Sequence, residues 1–489
     1  MDGKEALMKI VGSIGLLDNP KLLHKYSRDE SFIHPIKPAC IVTPGNVDEL
    51  QQIVKWANET LTSLVPVSSG EPHFRGDTIP GTSGAVIVDL TGMKKIVRID
   101  RKNRVAMIEP GVTFGELQAE LEKNGLRLNM PLLPRSRKSV VASALEREAV
   151  IMPKYHWDIV DPLACTEVIF GSGDTYRTGA AAGPGTIEEQ WKSGGAQKSP
   201  ADPIVDWVRL IQGAQGTMGI VTWATIRCEL MAGLEEPFMV GSSALPPLCE
   251  CIHWLVRLGL ADECLVLNNV NLARILGNER LEGYQDLRDS LPTWVLFFCI
   301  SGYEYFPEEK VAYQMEKMMD IAEQTEVKPV KTLGGISARE LLYILRRPSE
   351  DPFWKLRGKG SCHDIFCLAT CDKLPELVKV MREAAGRYGY PVSDMGMYLQ
   401  PIVQGTGYHC EFNLFFDPAD LEGMGNLKKL SGYAVRSLMD KGGFFSRPYG
   451  TWVDMVYERD SETSAALRKI KGIVDPNNIM NPGKLCFWK

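Results

Sequence analysis

Three things are scarce in this sequence. No run approaches the ~18 consecutive apolar residues that cross a bilayer, and the opening MDGKEALMKIVGSIGLLDNP lacks the long apolar stretch of a secretory signal. Neither a transmembrane segment nor export is expected, so the cytoplasm is the expected location. Positive charge is not in excess: 55 Lys and Arg face 61 Asp and Glu, a net charge of −6. A general nucleic-acid binder is normally basic, so no nucleic-acid partner is expected. The third scarcity is paired cysteine. Twelve cysteines are scattered, with Cys249 and Cys251 as a CxC and Cys362, Cys367 and Cys371 in one segment. They form neither the CxxC pairs of a zinc ribbon nor the dense run of an iron–sulfur protein, so buried, reduced thiols and no metal site are expected.

What is present suits a folded enzyme-sized chain. At 489 residues it exceeds one hydrophobic core, and two or three domains are expected. Hydrophobic residues at 44% and charged residues at 24% place it among globular rather than disordered chains. Helix and strand signals alternate from Pro38 to about Leu230. NVDELQQIVKWANE opens with Asn46 and Glu49 at capping-box spacing, then repeats Val47, Leu50, Ile53, Val54 and Ala57 with helical period. KIVRID and RVAMIEP frame a turn and predict a hairpin, as do CTEVIF and TYRT around Gly171–Asp174. Thr113 and Glu116 form a second capping box, with Gly125 as the stop. The stretch from Ala180 to Val205 is loop-like. A second α+β region runs from about Glu236 to Lys441 and includes TWVLFFCISGY, EEKVAYQMEKMMDIAEQT and YHCEFNLFF; the tail is a helix followed by DPNNIMNPGKL.

Several fragments carry a message together that none carries alone. In order they are VPVSSGEPHFRG, AVIVDL, IEPGVTFGEL, VIFGSGDTYRTG, GAQGTMGIVT and, far away, DPNNIMNPGKL. Their succession over nearly the whole chain resembles the FAD-binding oxidoreductases of the vanillyl-alcohol oxidase and p-cresol methylhydroxylase (PCMH) type. The resemblance implies an α+β fold: a PCMH-type FAD-binding domain of two α+β subdomains plus an α+β cap, or substrate, domain. The divisions expected are 1–235 for the FAD-binding domain, 236–440 for the cap, and 441–489 for a segment returning to the first domain. It also implies FAD as cofactor. A pyrophosphate needs close main-chain N–H groups, which small residues after a strand supply. Ser68, Ser69 and Gly70, continuing through Glu71, Pro72 and His73, match the family loop along the pyrophosphate. Pro110, Gly111 and Val112 match a segment near the flavin, and Gly219, Ile220 and Val221 match one approaching the adenine end. Asn481 and Lys484 belong to the returning segment.

One departure stands out. The family's glycine-rich second loop is replaced by LPRSRKSVVASALERE, which keeps small residues at Ser139 and Ser143 but brings in Arg135, Arg137 and Lys138. These cations either neutralise the pyrophosphate, meet a partner protein, or lie in solvent. Noncovalent FAD is expected; the alternative tethers are His73, His409 or Cys410.

On the substrate side, period two in YHCEFNLFF sets His409, Glu411 and Asn413 on one face and Cys410, Phe412 and Leu414 on the other. The family's equivalent strand looks onto the flavin, so His409 or Glu411 is a candidate base. His is near its working pKa unaided, whereas Glu would need burial to raise it. Arg447 and Tyr449 match the segment in which phenol-oxidising relatives hold the phenolate, with a different order of residues. A single histidine, His409, after Asp364 argues against the metal-assisted site of hydroxy-acid dehydrogenases. The function implied is FAD-dependent oxidation of an alcohol or phenol-type, aromatic substrate by hydride transfer. Alternatives are a 2-hydroxy-acid dehydrogenase, an electron-relay or structural subunit of a redox complex, or an NADPH-dependent reductase. Expected partners are a small-molecule substrate, an electron-acceptor protein or partner subunit, and further copies in a homo- or hetero-oligomer.

Overall fold

The computed structural model describes residues 3–153, 162–203, 205–277 and 281–488. Three sheets organise it. The first has four strands in the order Leu16–Leu17, Cys40–Val42, Val86–Asp89, Leu64–Val67, the last three mutually parallel. The helix Val47–Thr60 links two of these parallel strands and buries Leu50, Ile53, Val54 and Ala57, the stripe its sequence period sets out. Its cap is only half a box: Asn46 accepts from Glu49 N, but the Glu49 carboxylate turns to Gly45 N at 2.8 Å.

The second sheet is antiparallel. Its long central strand Gly219–Leu230 lies between Val105–Ile108 and Leu163–Phe170, and Leu126–Leu128 pairs with its far end. Both predicted hairpins form here: Ile96–Asp100 with Val105–Ile108, and Leu163–Phe170 with Thr175–Arg177. The Thr113–Glu116 capping box is complete at the start of the helix Phe114–Glu122. The stretch read as loop is a correction. Ile187–Lys192 is a helix, capped by a Thr186–Glu189 box that lay in the sequence unread.

The third sheet has six antiparallel strands, ordered Leu234–Ser242, Trp294–Gly302, Cys264–Asn268, Met395–Ile402, Gly407–Phe416, Ser361–Thr370. Helices Pro246–Arg257, Pro307–Gln324, Leu374–Arg387 and Leu421–Asp440 cover one face and build the largest apolar core. The chain is therefore two α+β subdomains and an α+β cap, as expected. After the helix Ser461–Val474 the chain returns to the first sheet: Leu64 N donates to Ile479 O at 2.8 Å and Asn481 N to Leu64 O at 2.8 Å. Among the described residues no helix is long and apolar enough to cross a membrane.

Candidate active site

Two cavities meet where the three sheets converge. The larger encloses about 1110 Å³ and runs from Ser68 and Ser69 to His409, Glu411 and Arg447 on the cap side. The smaller, about 780 Å³, is bounded by Pro110, by the loop 213–216 and by Gly219, Ile220 and Val221. Both touch Pro66, Val67, Ser68, Asp77, Ala142 and Glu146, so they adjoin along these residues.

The loop after the strand Leu64–Val67 is open for an anion. The main-chain N–H groups of Ser69, Glu71, His73, Phe74 and Arg75 meet no acceptor among the described residues. These donors are not spent on the protein, and the oxygens of a phosphate could accept from them. Gly70 and Glu71 face an outer cleft together with Gly111, and His73 lines both that cleft and the larger cavity. Burial, with Arg135 nearby, pushes the His73 imidazole down to about 4. Pro72 and Val112 do not line the space; Val112 is core. At the smaller cavity Gly216, at φ +70°, could not carry a Cβ without meeting Pro66 Cγ at 2.5 Å. Asn481 and Lys484 stand behind the first loop: Asn481 Nδ2 donates to Asp77 O at 2.9 Å and Lys484 Nζ to Gly76 O at 2.7 Å.

The second segment is not a glycine cradle but a short helix, Val140–Leu145. Ser139 caps it, donates to Pro110 O at 2.5 Å through Oγ, and donates through its N–H to Ser69 Oγ at 3.1 Å. Two of the three new cations point inward. Lys138 bridges Glu146 and Glu148, both at 2.8 Å, and Arg135 donates to Gly70 O at 2.7 Å. Only Arg137 is solvent-exposed, 3.8 Å from Asp351. Arg75 closes the ionic group, reaching Glu146 at 2.5 Å and Glu148 at 2.9 Å. Burial alone would raise the Glu148 carboxyl, but Lys138 and Arg75 hold it far below the usual range. Ser143 donates to Glu148 at 2.6 Å and does not reach the cavity. None of Arg75, Asp77, Glu146 and Glu148 was picked out in the sequence, although each stands inside or beside a quoted fragment; their charge among small residues was the available signal.

The cap wall is a buried polar network. The row His409, Glu411, Asn413 shares a face as period two requires, while Cys410, Phe412 and Leu414 enter the core. Lys355 Nζ lies 2.6 Å from both Glu411 and Asp364. Asn413 Nδ2 donates to Glu411 at 2.8 Å and to Asp364 at 2.6 Å. Burial would raise the Glu411 carboxyl, yet Lys355 and His409 keep it well below the ordinary value. The condition under which Glu411 would serve as a base is absent; it anchors its neighbours instead. His409 Nδ1 lies 3.4 Å from Arg447 Nη2 and Nε2 lies 3.2 Å from Glu411. A guanidinium can only donate, so Nδ1 is the lone-pair nitrogen and Nε2–H donates to Glu411. Burial, then Arg447, holds the imidazole below its ordinary pKa despite Glu411.

Arg447 is 5% exposed, lies 4.4 Å from the Phe366 ring centroid, and has no carboxylate within ion-pair distance among the described residues. Burial, reinforced by Arg75, pulls it down to about 10. Tyr449 lies close enough for its phenol and the guanidinium to influence each other electrostatically. It lines the smaller cavity, under Arg75 at 5.2 Å, and is absent from the larger one. Lys355 and Asp364 went unnoticed because they come from a turn and a strand without any motif.

Residues 38–179 match the family described as FAD binding domain, and residues 285–485 the C-terminal domain of FAD linked oxidases. The crystal structure of p-cresol methylhydroxylase with substrate bound superposes with a TM-score of 0.86 at 19% identity, over 99% of this chain and 96% of that one. The chain belongs to the FAD-linked oxidases of the PCMH type. 4-Ethylphenol oxidase from Gulosibacter chungangensis has the same fold (TM-score 0.83, 19% identity, 100% of this chain and 97% of that one). By sequence, the mitochondrial D-lactate dehydrogenase [cytochrome] of Arabidopsis thaliana is 24% identical over 92% of this chain and 73% of its own length. FAD is the cofactor of this PCMH-type chain. The open N–H groups of the first loop and the two-chambered space fit it.

Proposed function

We propose that this FAD-linked oxidoreductase oxidises an aromatic alcohol or phenol whose anionic oxygen is held by Arg447. The observation that carries this reading is a buried guanidinium on the cavity wall with no carboxylate of its own. In a site shielded from water, a fixed cation favours an alkoxide or phenolate strongly. Leu132, Phe353, Trp354 and Tyr398 line the same chamber and suit an aromatic ring. His409, neutral with its lone pair on Nδ1, takes the hydroxyl proton as carbon gives up hydride, and the long 3.4 Å contact to Arg447 yields to the substrate oxygen. Glu411 and Lys355 hold that imidazole in place. Bound FAD supplies the two-electron acceptor. Ser68, Ser69 and the first-loop N–H groups hold its phosphates, and Ile220 and the glycines 213, 216 and 219 its adenine end. We take the cofactor to be noncovalent, since Cys410 faces the core and His409 has Nε2 on Glu411 and keeps Nδ1 for the substrate proton. In this reading residues 1–235 and 441–489 bind cofactor and 236–440 cap it.

A 2-hydroxy acid is the second reading. A carboxylate would satisfy Arg447 equally well, and D-lactate dehydrogenase is among the relatives. Anaerobic mixing of FAD-loaded protein with 4-hydroxybenzyl alcohol, and separately with D-lactate, distinguishes them. Bleaching of the flavin by the phenolic alcohol alone is expected. Bleaching by lactate alone would transfer the assignment to hydroxy acids, and a stable flavin with both would favour an electron-relay subunit.

A further inference from the structure

Asp77 stands where the two cavities meet, and its side chain has no protein partner. It lines both chambers, and no hydrogen bond or ion pair to its carboxyl exists among the described residues. The groups facing it come from five segments. On its own loop Arg75 is engaged by Glu146 and Glu148. Asp29, from the N-terminal segment, accepts from Gly76 N at 2.6 Å. Glu146 comes from the segment after the short helix and Tyr449 from the loop 441–451. Lys484, from the returning segment, is directed to Gly76 O, while Asn481 donates to the Asp77 carbonyl rather than to its carboxyl. Arg75 and Lys138 are matched by Glu146 and Glu148, while the single cation Lys484, hydrogen-bonded to Gly76 O, faces both Asp77 and Asp29, so the group carries one carboxylate more than its cations balance where the two cavities adjoin.

FAD is an elongated molecule with its two phosphates in the middle, and to occupy both chambers its middle must pass this wall. A carboxylate beside a pyrophosphate is repulsive, whereas a carboxylic acid there is a hydrogen-bond donor. We propose that Asp77 takes up one proton from solvent as FAD binds, and that the resulting acid donates a hydrogen bond to the phosphate-bearing middle of the cofactor. The bond formed is O–H on the Asp77 carboxyl; nothing is oxidised or reduced. The proposal rests on the assignment of FAD and not on the choice of substrate.

Burial, with Glu146 and Asp29, raises the Asp77 carboxyl to about 6 in the free protein. The sign follows. Below that pH the acid is already formed and affinity is flat. Above it each binding event must draw a proton from solvent, so Kd rises with pH by up to about tenfold per unit. The test uses the full chain stripped of flavin and titrated with FAD by calorimetry, in pairs of buffers with different ionisation heats, from pH 5 to 8.5. Wild type should take up close to one proton near pH 7.5 and none near pH 5. Asp77→Asn and Asp77→Ser should take up none at any pH, bind FAD more tightly than wild type at pH 8, and lose the slope of Kd against pH. Three results would overturn the proposal: no proton uptake by wild type in this window, uptake undiminished in both variants, or variants that bind more weakly than wild type at every pH. The last would make Asp77 an acceptor for cofactor hydroxyl groups. Failure of wild type to bind FAD at any pH would instead refute the cofactor assignment, and the proposal with it. The wild-type measurement needs no variant to fold.

Discussion

The two chambers of the cavity are built on different principles. The smaller is walled mostly by small or aliphatic residues, with the stretch from Ile211 to Val221 (Gly213, Ala214, Gly216, Gly219 and Ile220 among them) giving the largest single share. The larger is walled by charge: Lys355, Asp364, His409, Glu411 and Arg447 converge from a turn, two strands and a loop. A wall of backbone grips a ligand that never varies, and its requirement is space. A wall of mostly paired charges holds Arg447, which has no carboxylate of its own, in a fixed place, and its requirement is balance. Substitutions should therefore fail differently on the two sides.

The largest effect should come from upsetting the balance. Lys355→Met leaves Glu411 and Asp364 as buried carboxylates without their cation, which should cost about 3–5 kcal/mol of stability in denaturant titration. Adding Glu411→Gln should recover part of the loss; no recovery would mean that the two chambers do not differ in this way. Next comes the unpaired cation. Arg447→Ala should lower kcat/KM for the phenolic alcohol by about 100-fold or more while the flavin spectrum of the loaded protein persists. Loss of FAD in proportion to activity would erase the distinction between the chambers. Below this lies a pH effect. The imidazole of His409 sits below its ordinary pKa, so it is neutral across the neutral range and charges only at lower pH. There kcat/KM should fall by about tenfold per pH unit on the acid side, and stability should fall with it, because the unfolded chain takes up that proton at higher pH than the folded one. On the backbone side, Gly216→Ala should weaken FAD binding by about tenfold through strain at positive φ and contact with Pro66, a smaller loss than either charge substitution. The smallest effect belongs to Arg137→Ala, which removes an exposed pair and should shift stability by less than about 0.5 kcal/mol.

The same division explains what could be read from the sequence. The first loop, both hairpins, the Thr113–Glu116 box and the face shared by His409, Glu411 and Asn413 are local patterns, fixed by a few neighbouring residues, and all were legible. So was the order of fragments that signals the FAD fold. The helix Ile187–Lys192 was not, because six residues are too few to display a period and only its capping box marked it. Lys355 was invisible for another reason: its meaning comes from Asp364 and Glu411, and the latter is 56 residues away. Asp77 and Glu146 were in view, but a carboxylate beside a phosphate loop looks like a surface residue until both chambers are seen to open onto it.

Asn481 and Lys484 hold the first loop from 404 and 408 residues away. During synthesis this loop is made early and waits for its support, and contacts of such sequence separation form slowly. Cofactor capture thus becomes a late event in the life of the molecule. A growing chain can have both hairpins and the first sheet's strands in place and still lack a finished seat for the flavin.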